Sequence, residues 1–451
     1  MLNQLLRHIT HFIAPATLLK TVPAPVNPNS PVQTDSSAKP SAAPAKKLRT
    51  VKLIMVTAEN NNKYYEMREQ PDDTFTVHYG RVGGSKSVTT YPMAQWERKI
   101  REKVAKGYLD QTHLYAEKTA TADPNTISDA EVRGLMSRLM EFANQSIYQN
   151  YVVTAQEVTR KQVETAQHLL NELAELVAPG VAIDAYNPKL LDLFKVIPRK
   201  MGKVGRHLLA KSPETPEDIQ LLRDQLAAEQ DTLDVMRGQV ELNQSNETPD
   251  HPSANLLEMM KLEVQPVTDK RVLTLIKRMM GNDADKFDAA FSICQTDTQT
   301  AFDTYTRSRS NRKTQLLWHG SRSENWLSIL KTGLLLRPAN AVITGKMFGY
   351  GIYFADQFSK SLNYTSLHGA VWANGKQQEG YLGIYEVHVG EQLKLTQHDA
   401  WHMQLDGNAL KNIDPKYDSV FAQRGVSLLK NEFIVYNSAQ CTVRYMVRIK
   451  R

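Results

Sequence analysis

Cysteine is almost missing from this chain: 451 residues hold two, Cys294 and Cys441. They lie far apart, and no Cys or His stands at metal-ligand spacing. That excludes a zinc module, a disulfide framework and any expected metal. Unpaired thiols suit a reducing, intracellular setting. No apolar run is long enough to span a bilayer, so no membrane partner is expected. Acids are absent from residues 1–20, MLNQLLRHITHFIAPATLLK. That stretch lacks the long apolar run and clean cleavage site of a secretory signal, and it is poor in Ser for a transit peptide. A disordered start is the expectation.

What is present is ordinary for a globular protein: 41% hydrophobic and 23% charged residues, with a net charge of +7. The basic balance permits a polyanionic partner without requiring one. The length predicts roughly two to four domains. Residues 21–47 are rich in Pro, Ala and Ser, and a basic Lys46-Lys47-Leu48-Arg49 follows. Residues 1–49 are therefore a tail or linker with too little apolar material to fold.

From Val51 the pattern turns to strands. Lys52–Thr57 is β-rich, Tyr65 and Met67 alternate with polar residues, and Pro71-Asp72-Asp73 makes a turn. Phe75, Val77 and Tyr79 alternate again, and Ser87–Tyr91 is a fourth strand. Met93, Trp96, Ile100 and Val104 then take helical spacing, on a helix bearing Arg98, Lys99, Arg101, Lys103 and Lys106. Three capping-box patterns follow, at Ser128–Glu131, Thr159–Gln162 and Thr215–Asp218, each ahead of an apolar stripe. They predict a helical bundle over 126–245, and the polar break 244–254 ends it.

After that break, Leu262 and Val264 lead into helices over Val272–Met280 and Lys286–Tyr305. Leu316–Arg322 (LLWHGSR) is a strand entering a His-Gly turn. A helix over Glu324–Lys331 is capped by Gly333. Gly383–Gly390, Glu432–Tyr436 and Tyr445–Lys450 are strands of a sheet expected to be antiparallel. Between them lies Gly345–Tyr364, GKMFGYGIYFADQFSKSLNY. Its glycines at 345, 349 and 351 let backbone approach a ligand, and its aromatics offer faces for a flat ring.

Residues 78–83, HYGRVG, between the third and fourth strands and ahead of a basic helix, resemble the WGR domain, with Tyr79 where that family has Trp. The resemblance implies nucleic-acid contacts at Tyr79, Gly80, Arg81, Arg98 and Lys99. Residues 126–245 are similar to the helical regulatory domain of poly(ADP-ribose) polymerases, and LLWHGSR, GKMFGYGIYFAD…SKSLNY and NEFIVY (431–436) occur in the order of that family's catalytic domain. The resemblance covers 50–451. It implies a multidomain α+β chain: a sheet-plus-helix WGR-like domain at 50–116, an all-α bundle at 126–245, and a mostly antiparallel-β ADP-ribosyltransferase domain at 253–451.

Carried over by motif, Glu432 is the catalytic carboxylate, with His319, Tyr353 and Lys360 beside it. NAD+ is the substrate. His319, Gly320, Ser321, Arg337, Tyr353, Ser361 and Tyr364 would hold it, and Lys346 and Met347 would face the acceptor. Cleaving the nicotinamide–ribose bond builds an oxocarbenium-like sugar, which a carboxylate stabilises while it deprotonates the incoming hydroxyl. The implied function is a DNA-break-stimulated poly(ADP-ribose) polymerase. Its partners would be DNA strand breaks and acceptor proteins including itself. It would sit in the nucleus if eukaryotic, or in the cytoplasm or nucleoid if bacterial. The alternatives are a mono-ADP-ribosyltransferase and a catalytically silent DNA-end or NAD-binding protein.

Overall fold

The computed structural model describes residues 48–114, 124–151, 158–244, 255–336, 347–367 and 377–451. Arg337, Gly345 and Lys346 lie outside them, as does nearly all of the 1–49 tail. Leu48–Arg451 is one compact unit.

Its first sheet holds β1 (Thr50–Val56), β2 (Asn62–Glu69), β3 (Thr74–Arg81), β4 (Lys86–Pro92) and β5 (Leu109–Asp110). The order is β4-β3-β2-β1-β5, every pair antiparallel. Alternation buries Leu53, Tyr65, Met67, Phe75 and Val77 on one face, where helix α1 (Trp96–Ala105) seats Trp96. β5 is additional to the four expected strands. It has two residues, both exposed, so no alternation marks it.

Helices α2 (Ala130–Asn150), α3 (Arg160–Glu175), α4 (Ile183–Val196) and α5 (Pro216–Gln244) come next. Thr159 and Gln162 close a reciprocal box, each side chain accepting the other's backbone N–H at 3.1 Å. Thr215 and Asp218 do the same at 3.1 and 3.3 Å. At α2 the cap is Asp129 rather than Ser128. Its carboxylate accepts from the N–H groups of Glu131 and Val132 at 2.9 Å. An ionised acceptor bonds more strongly and suits the positive end of the helix. α4 starts without a side-chain cap, so no box announces it.

The remainder runs α6 (Leu256–Met260), β6 (Leu262–Pro266), α7 (Lys270–Met280), β7 (Phe287–Gln295), α8 (Thr296–Arg307), β8 (Thr314–Gly320), α9 (Trp326–Thr332) and β9 (Ile352–Phe354). After these come α10 (Phe358–Ser361), β10 (Glu379–His388), β11 (Gln392–Leu395), α11 (Gly407–Ile413), β12 (Ser419–Ala422), β13 (Glu432–Val435) and β14 (Cys441–Lys450). They build two sheets, β6-β7-β14-β10-β8 and β11-β12-β13-β9. Every pair is antiparallel except β11 with β12. The helix expected over 286–305 is a strand in its first half. β7 pairs on both sides, with β6 and β14, and that pairing overrides the helix preference of Ala289 and Ala290.

One buried apolar cluster runs through all three segments. It contains Ile54 of β1, Leu139 and Phe142 of α2, Leu226 of α5, Trp326 of α9 and Met446 of β14. A polar node lies beside it. Arg199, only 7% exposed, pairs through both terminal nitrogens with Glu229 of α5, one of them at 2.6 Å. The Tyr151 hydroxyl donates to the same carboxylate at 3.1 Å. The Arg199 carbonyl accepts from Asn62 of β2 at 3.1 Å. Removing one member of such a pair strands the other's charge, whereas removing both is far cheaper. Arg199→Met is therefore expected to lower unfolding free energy by about 3 kcal/mol. The double variant Arg199→Met/Glu229→Leu should recover most of that loss in urea titrations. Equal losses in the single and double variants would refute the node.

Candidate active site

Register brings the site together before side chains enter. β13 lies beside β9 with Ile434 opposite Tyr353 and Phe433 opposite Phe354. The strand that begins at Glu432 thus flanks the one that carries Tyr353. β8 and β9 meet at a single two-hydrogen-bond bridge, Trp318 N–H to Ala355 O at 2.8 Å and Ala355 N–H to Trp318 O at 2.9 Å. That bridge sets His319 next to Tyr353, and His319 Nδ1 lies 3.0 Å from the Tyr353 carbonyl. The carbonyl can only accept, so Nδ1 carries the proton and Nε2 remains an acceptor. The rings of Phe354, Tyr385 and Trp326 pack edge-on around His319. Burial pushes its pKa below the ordinary value, although the Tyr353 carbonyl opposes this.

Glu432 is 7% exposed. Lys360 Nζ lies 2.6 Å from its Oε1 and donates to the Lys430 carbonyl at 3.3 Å. Glu432 Oε2 is buried and, among the described residues, has no hydrogen-bond partner. Tyr353 and Tyr364 both lie within the field of this carboxylate, and burial pushes both phenols up. The Tyr353 hydroxyl accepts from Phe348 N–H at 3.1 Å and donates to Gly349 O at 2.9 Å, so it braces the 347–351 turn. The Tyr364 side of the cleft is open, with that residue 56% exposed. Ser361 is 4% exposed on α10. A Cβ on Gly320 would come within 2.0 Å of the Ser361 carbonyl, so only glycine lets β8 end against α10. Ser321 Oγ accepts from Asn325 Nδ2 at 3.1 Å. Met347 packs, partly buried, on the cluster around Phe348 and Ile434.

Two expectations for this stretch are corrected. Gly349 and Gly351 do not open backbone to a ligand. A Cβ on Gly349 would meet the Leu405 carbonyl at 2.0 Å, and one on Gly351 the Ile434 side chain at 2.2 Å. Phe348 and Phe354 are core residues, 1% and 2% exposed. Sequence reasoning passed over Lys430 and gave no role to Asn431, the first residue of NEFIVY. Lys430 Nζ donates to Ser359 Oγ at 2.7 Å, and Asn431 Nδ2 donates to Asp356 Oδ2 at 2.8 Å. Together they tie the approach to Glu432 to the residues around α10. The signal for them was their place next to the Glu432 motif.

The residues expected to meet nucleic acid lie on the first sheet and α1. Tyr79 is 36% exposed. Gly80 is obligatory, since a Cβ would meet the Ser85 carbonyl at 2.5 Å. Arg98 donates to Gln95 Oε1 at 2.8 Å, and Lys99 Nζ sits 4.4 Å over the Tyr91 ring. Arg81 departs from expectation. Its guanidinium donates to Asn60 O at 2.9 Å, Asn60 Oδ1 at 3.0 Å and Gly202 O at 2.7 Å. The fork faces neighbouring protein because three carbonyl oxygens converge on it.

The helices contact the catalytic half, one of them close to His319 and Gly320. Arg322, two residues after Gly320, pairs with Asp231 of α5, and Arg138 of α2 pairs with Glu379 at the start of β10. Gly238 of α5 lies against Ser328 of α9, where an added Cβ would fall 2.4 Å from the serine Cβ.

Residues 270–451 match the family model of the poly(ADP-ribose) polymerase catalytic domain. The chain is 32% identical over 194 residues to uncharacterized protein 101L of Invertebrate iridescent virus 6, covering 43% of this chain and 79% of that protein. It is 28% identical over 329 residues to a poly [ADP-ribose] polymerase of Sarcophaga peregrina, covering 65% and 31%. It is 24% identical over 469 aligned residues to poly [ADP-ribose] polymerase 2 of Zea mays, covering 87% and 68%. The C-terminal segment is thus an NAD+ ADP-ribosyltransferase domain, and the chain belongs to the poly(ADP-ribose) polymerase family. It spans under a third of the Sarcophaga relative's length. Among the described residues no helix is long and apolar enough to cross a membrane.

The buried imidazole gives a sign for pH. The folded state resists protonating His319, so the unfolded state binds the extra proton as pH falls through about 6.5. An NMR titration of the His319 ring is expected to show a midpoint below that value. Stability should also fall as the solution is acidified through it. A midpoint above 6.5 would contradict the packing around the ring.

Proposed function

We propose that the chain is a poly(ADP-ribose) polymerase that transfers ADP-ribose from NAD+ to a protein acceptor and then to the growing chain. The observation that carries this reading is Glu432: Oε1 held by Lys360, Oε2 buried without a partner among the described residues. A carboxylate oxygen in that state is poised for a hydroxyl donor. The bond between C1′ of the ribose and the nicotinamide nitrogen breaks, and its electron pair leaves with neutral nicotinamide. An acceptor hydroxyl forms the new C1′–O bond and passes its proton to Glu432 Oε2. The negative charge beside C1′ stabilises the cationic sugar between these events. Tyr353 and Tyr364 flank the nicotinamide ring. Gly320 and Ser361 take its amide, and His319 Nε2 accepts from the adenosine ribose. On this reading Lys360 is a positioning residue, because it fixes which carboxylate oxygen is free. Lys346, Met347 and Arg337 keep the roles that the family motif implies.

Stimulation by DNA breaks is the second part of the reading. It is supported by the exposed cations of α1 and by the contact α5 makes through Asp231 with Arg322, two residues after Gly320. Because the Arg81 fork is engaged with Asn60 and Gly202 and Lys99 is held over Tyr91 and beside Glu102, the exposed Arg98 and Arg101 are the better phosphate partners. The helices would restrict NAD+ until the first sheet and α1 meet a DNA end, a two-state switch biased by ligand.

Incubation with NAD+, with and without nicked or blunt DNA, tests both parts on a gel. Long polymer that depends on DNA is expected. Single-unit product would indicate a mono-transferase, and product independent of DNA would refute the switch. Glu432→Gln should reduce polymer by at least about 100-fold, the scale of a lost general base; full activity would remove Glu432 from the reaction. Asp231→Ala should raise DNA-independent activity several-fold, and unchanged basal activity would count against α5 as the restraint.

A further inference from the structure

Glu432 stands where both of its strand ladders run out. On one side, Ala422 opposite Glu432 is the last pair between β12 and β13. On the other, the ladder to β9 stops at Phe433 opposite Phe354, one residue short. Backbone pairing therefore holds Phe433 and Ile434 from both sides but leaves Glu432 at the mouth of a hairpin. The connection that closes this hairpin, residues 423–431, has to supply the remaining restraint.

Its last two residues do so. Asn431 uses both ends of one carboxamide. Oδ1 accepts from Arg424 N–H at 2.8 Å across the base of the loop, and Nδ2 donates to Asp356 Oδ2 at 2.8 Å, in the link between β9 and α10. The partners fix which end is which, since a backbone N–H only donates and a carboxylate only accepts. Lys430 Nζ donates to Ser359 Oγ at 2.7 Å, and the Lys430 carbonyl takes Lys360 Nζ at 3.3 Å. α10 thus holds the hairpin through Ser359 and Glu432 through Lys360, and it carries Ser361, the residue assigned to the nicotinamide amide. The rest of the loop is anchored separately. Gly425 N–H donates to Leu428 O at 2.9 Å, and Ser427 Oγ accepts from His398 N–H at 2.9 Å. Losing the Asn431 contacts would release the base of the loop beside Glu432 and leave its tip in place.

We propose that Asn431 is a positioning residue for Glu432: its carboxamide is the joint that sets the carboxylate's place relative to α10. The position calls for an amide. Alanine supplies neither end, and aspartate keeps the bond to Arg424 but sets a second carboxylate against Asp356. The proposal rests on Glu432 being the carboxylate of the reaction. A protein hydroxyl must meet that carboxylate in one place, and an offset of about 1 Å costs on the order of 100-fold in rate. Water needs no such placement. In the competing hydrolysis the same C1′–nicotinamide bond breaks, nicotinamide leaves with the electron pair, a water oxygen forms the new C1′–O bond, and its proton passes to solvent. A displaced Glu432 therefore shifts turnover from transfer to hydrolysis.

The readout is the ratio of ADP-ribose transferred to ADP-ribose released to water, which is independent of the fraction of enzyme folded. Asn431→Asp is expected to lower that ratio at least about ten-fold, while nicotinamide binding, followed by calorimetry, stays within about two-fold of wild type. Asp356→Asn still offers an amide oxygen to Asn431 and should stay close to wild type. The double variant Asn431→Asp/Asp356→Asn reverses donor and acceptor and should recover most of the lost ratio. Asp356→Ala alters an exposed side chain, so it serves where Asn431→Asp does not fold, and it should lower the ratio several-fold. A ratio unchanged in these two variants, or a double variant no better than Asn431→Asp, would overturn the joint. A wild type that neither transfers nor hydrolyses would instead remove the role of Glu432 beneath it. The joint is then read by thermal unfolding, where the melting-temperature losses of Asn431→Ala and Asp356→Ala should be smaller together than their sum; additive losses would overturn it.

Discussion

Two hydrogen bonds between Trp318 and Ala355 hold the catalytic half of this protein in one geometry. They are the ladder contact from the five-stranded sheet to the four-stranded one. On one side of the bridge the chain continues into His319 and Gly320. On the other it has just passed Tyr353. The sheet edge at β9 then passes the constraint to β13, and so to Glu432. An ADP-ribosyl donor must be gripped at its nicotinamide and at its distant ribose. Here His319 and Gly320 come from one sheet and Tyr353 and Glu432 from the other, and their separation is fixed by backbone rather than by side-chain rotamers. That is the preorganisation a site of this chemistry needs.

Much of this was legible in the sequence, for physical reasons that differ by residue. β2 and β3 of the first sheet show alternation because one face of each is buried, whereas β1 is buried on both faces over Leu53–Val56 and β4 buries no residue. The boxes at Thr159 and Thr215 are local, since four residues suffice to satisfy the helix end. His319, Tyr353 and Glu432 were readable only through motif order. Their meeting depends on strand register, and no local pattern encodes register between residues separated by long stretches of chain. β7 was misread because its alanines favour a helix in isolation, and two neighbouring strands decide otherwise. The glycines at 349 and 351 were read as ligand-facing. The constraint on them is real, but it comes from Leu405 and Ile434. Arg81 was expected to meet nucleic acid, yet its guanidinium is engaged by Asn60 in the β1–β2 turn and by Gly202 in a distant segment.

The same limit applies to interactions between segments. Arg322 with Asp231, Arg138 with Glu379 and the bare backbone of Gly238 against Ser328 each pair a helix with the catalytic half. Sequence periodicity places every one of these residues on an element, but it does not say which element it meets. These polar or sterically tight contacts border an apolar interior that the helices share with the catalytic half, where Phe142 and Leu226 belong to the same buried cluster as Trp326 and Met446.

The buried cluster that runs from Ile54 to Met446 makes the described chain a shared folding unit rather than a string of beads. In such a unit, stabilising one end stabilises the other without any moving lever. Energy gained at one end of this cluster raises the cost of opening any part of the common interior, and energy lost by prying a helix from it is felt in the first sheet, through Ile54 and Val56. Communication along the molecule is then a property of cooperativity itself: the currency is local unfolding, and the interior is the medium through which it passes.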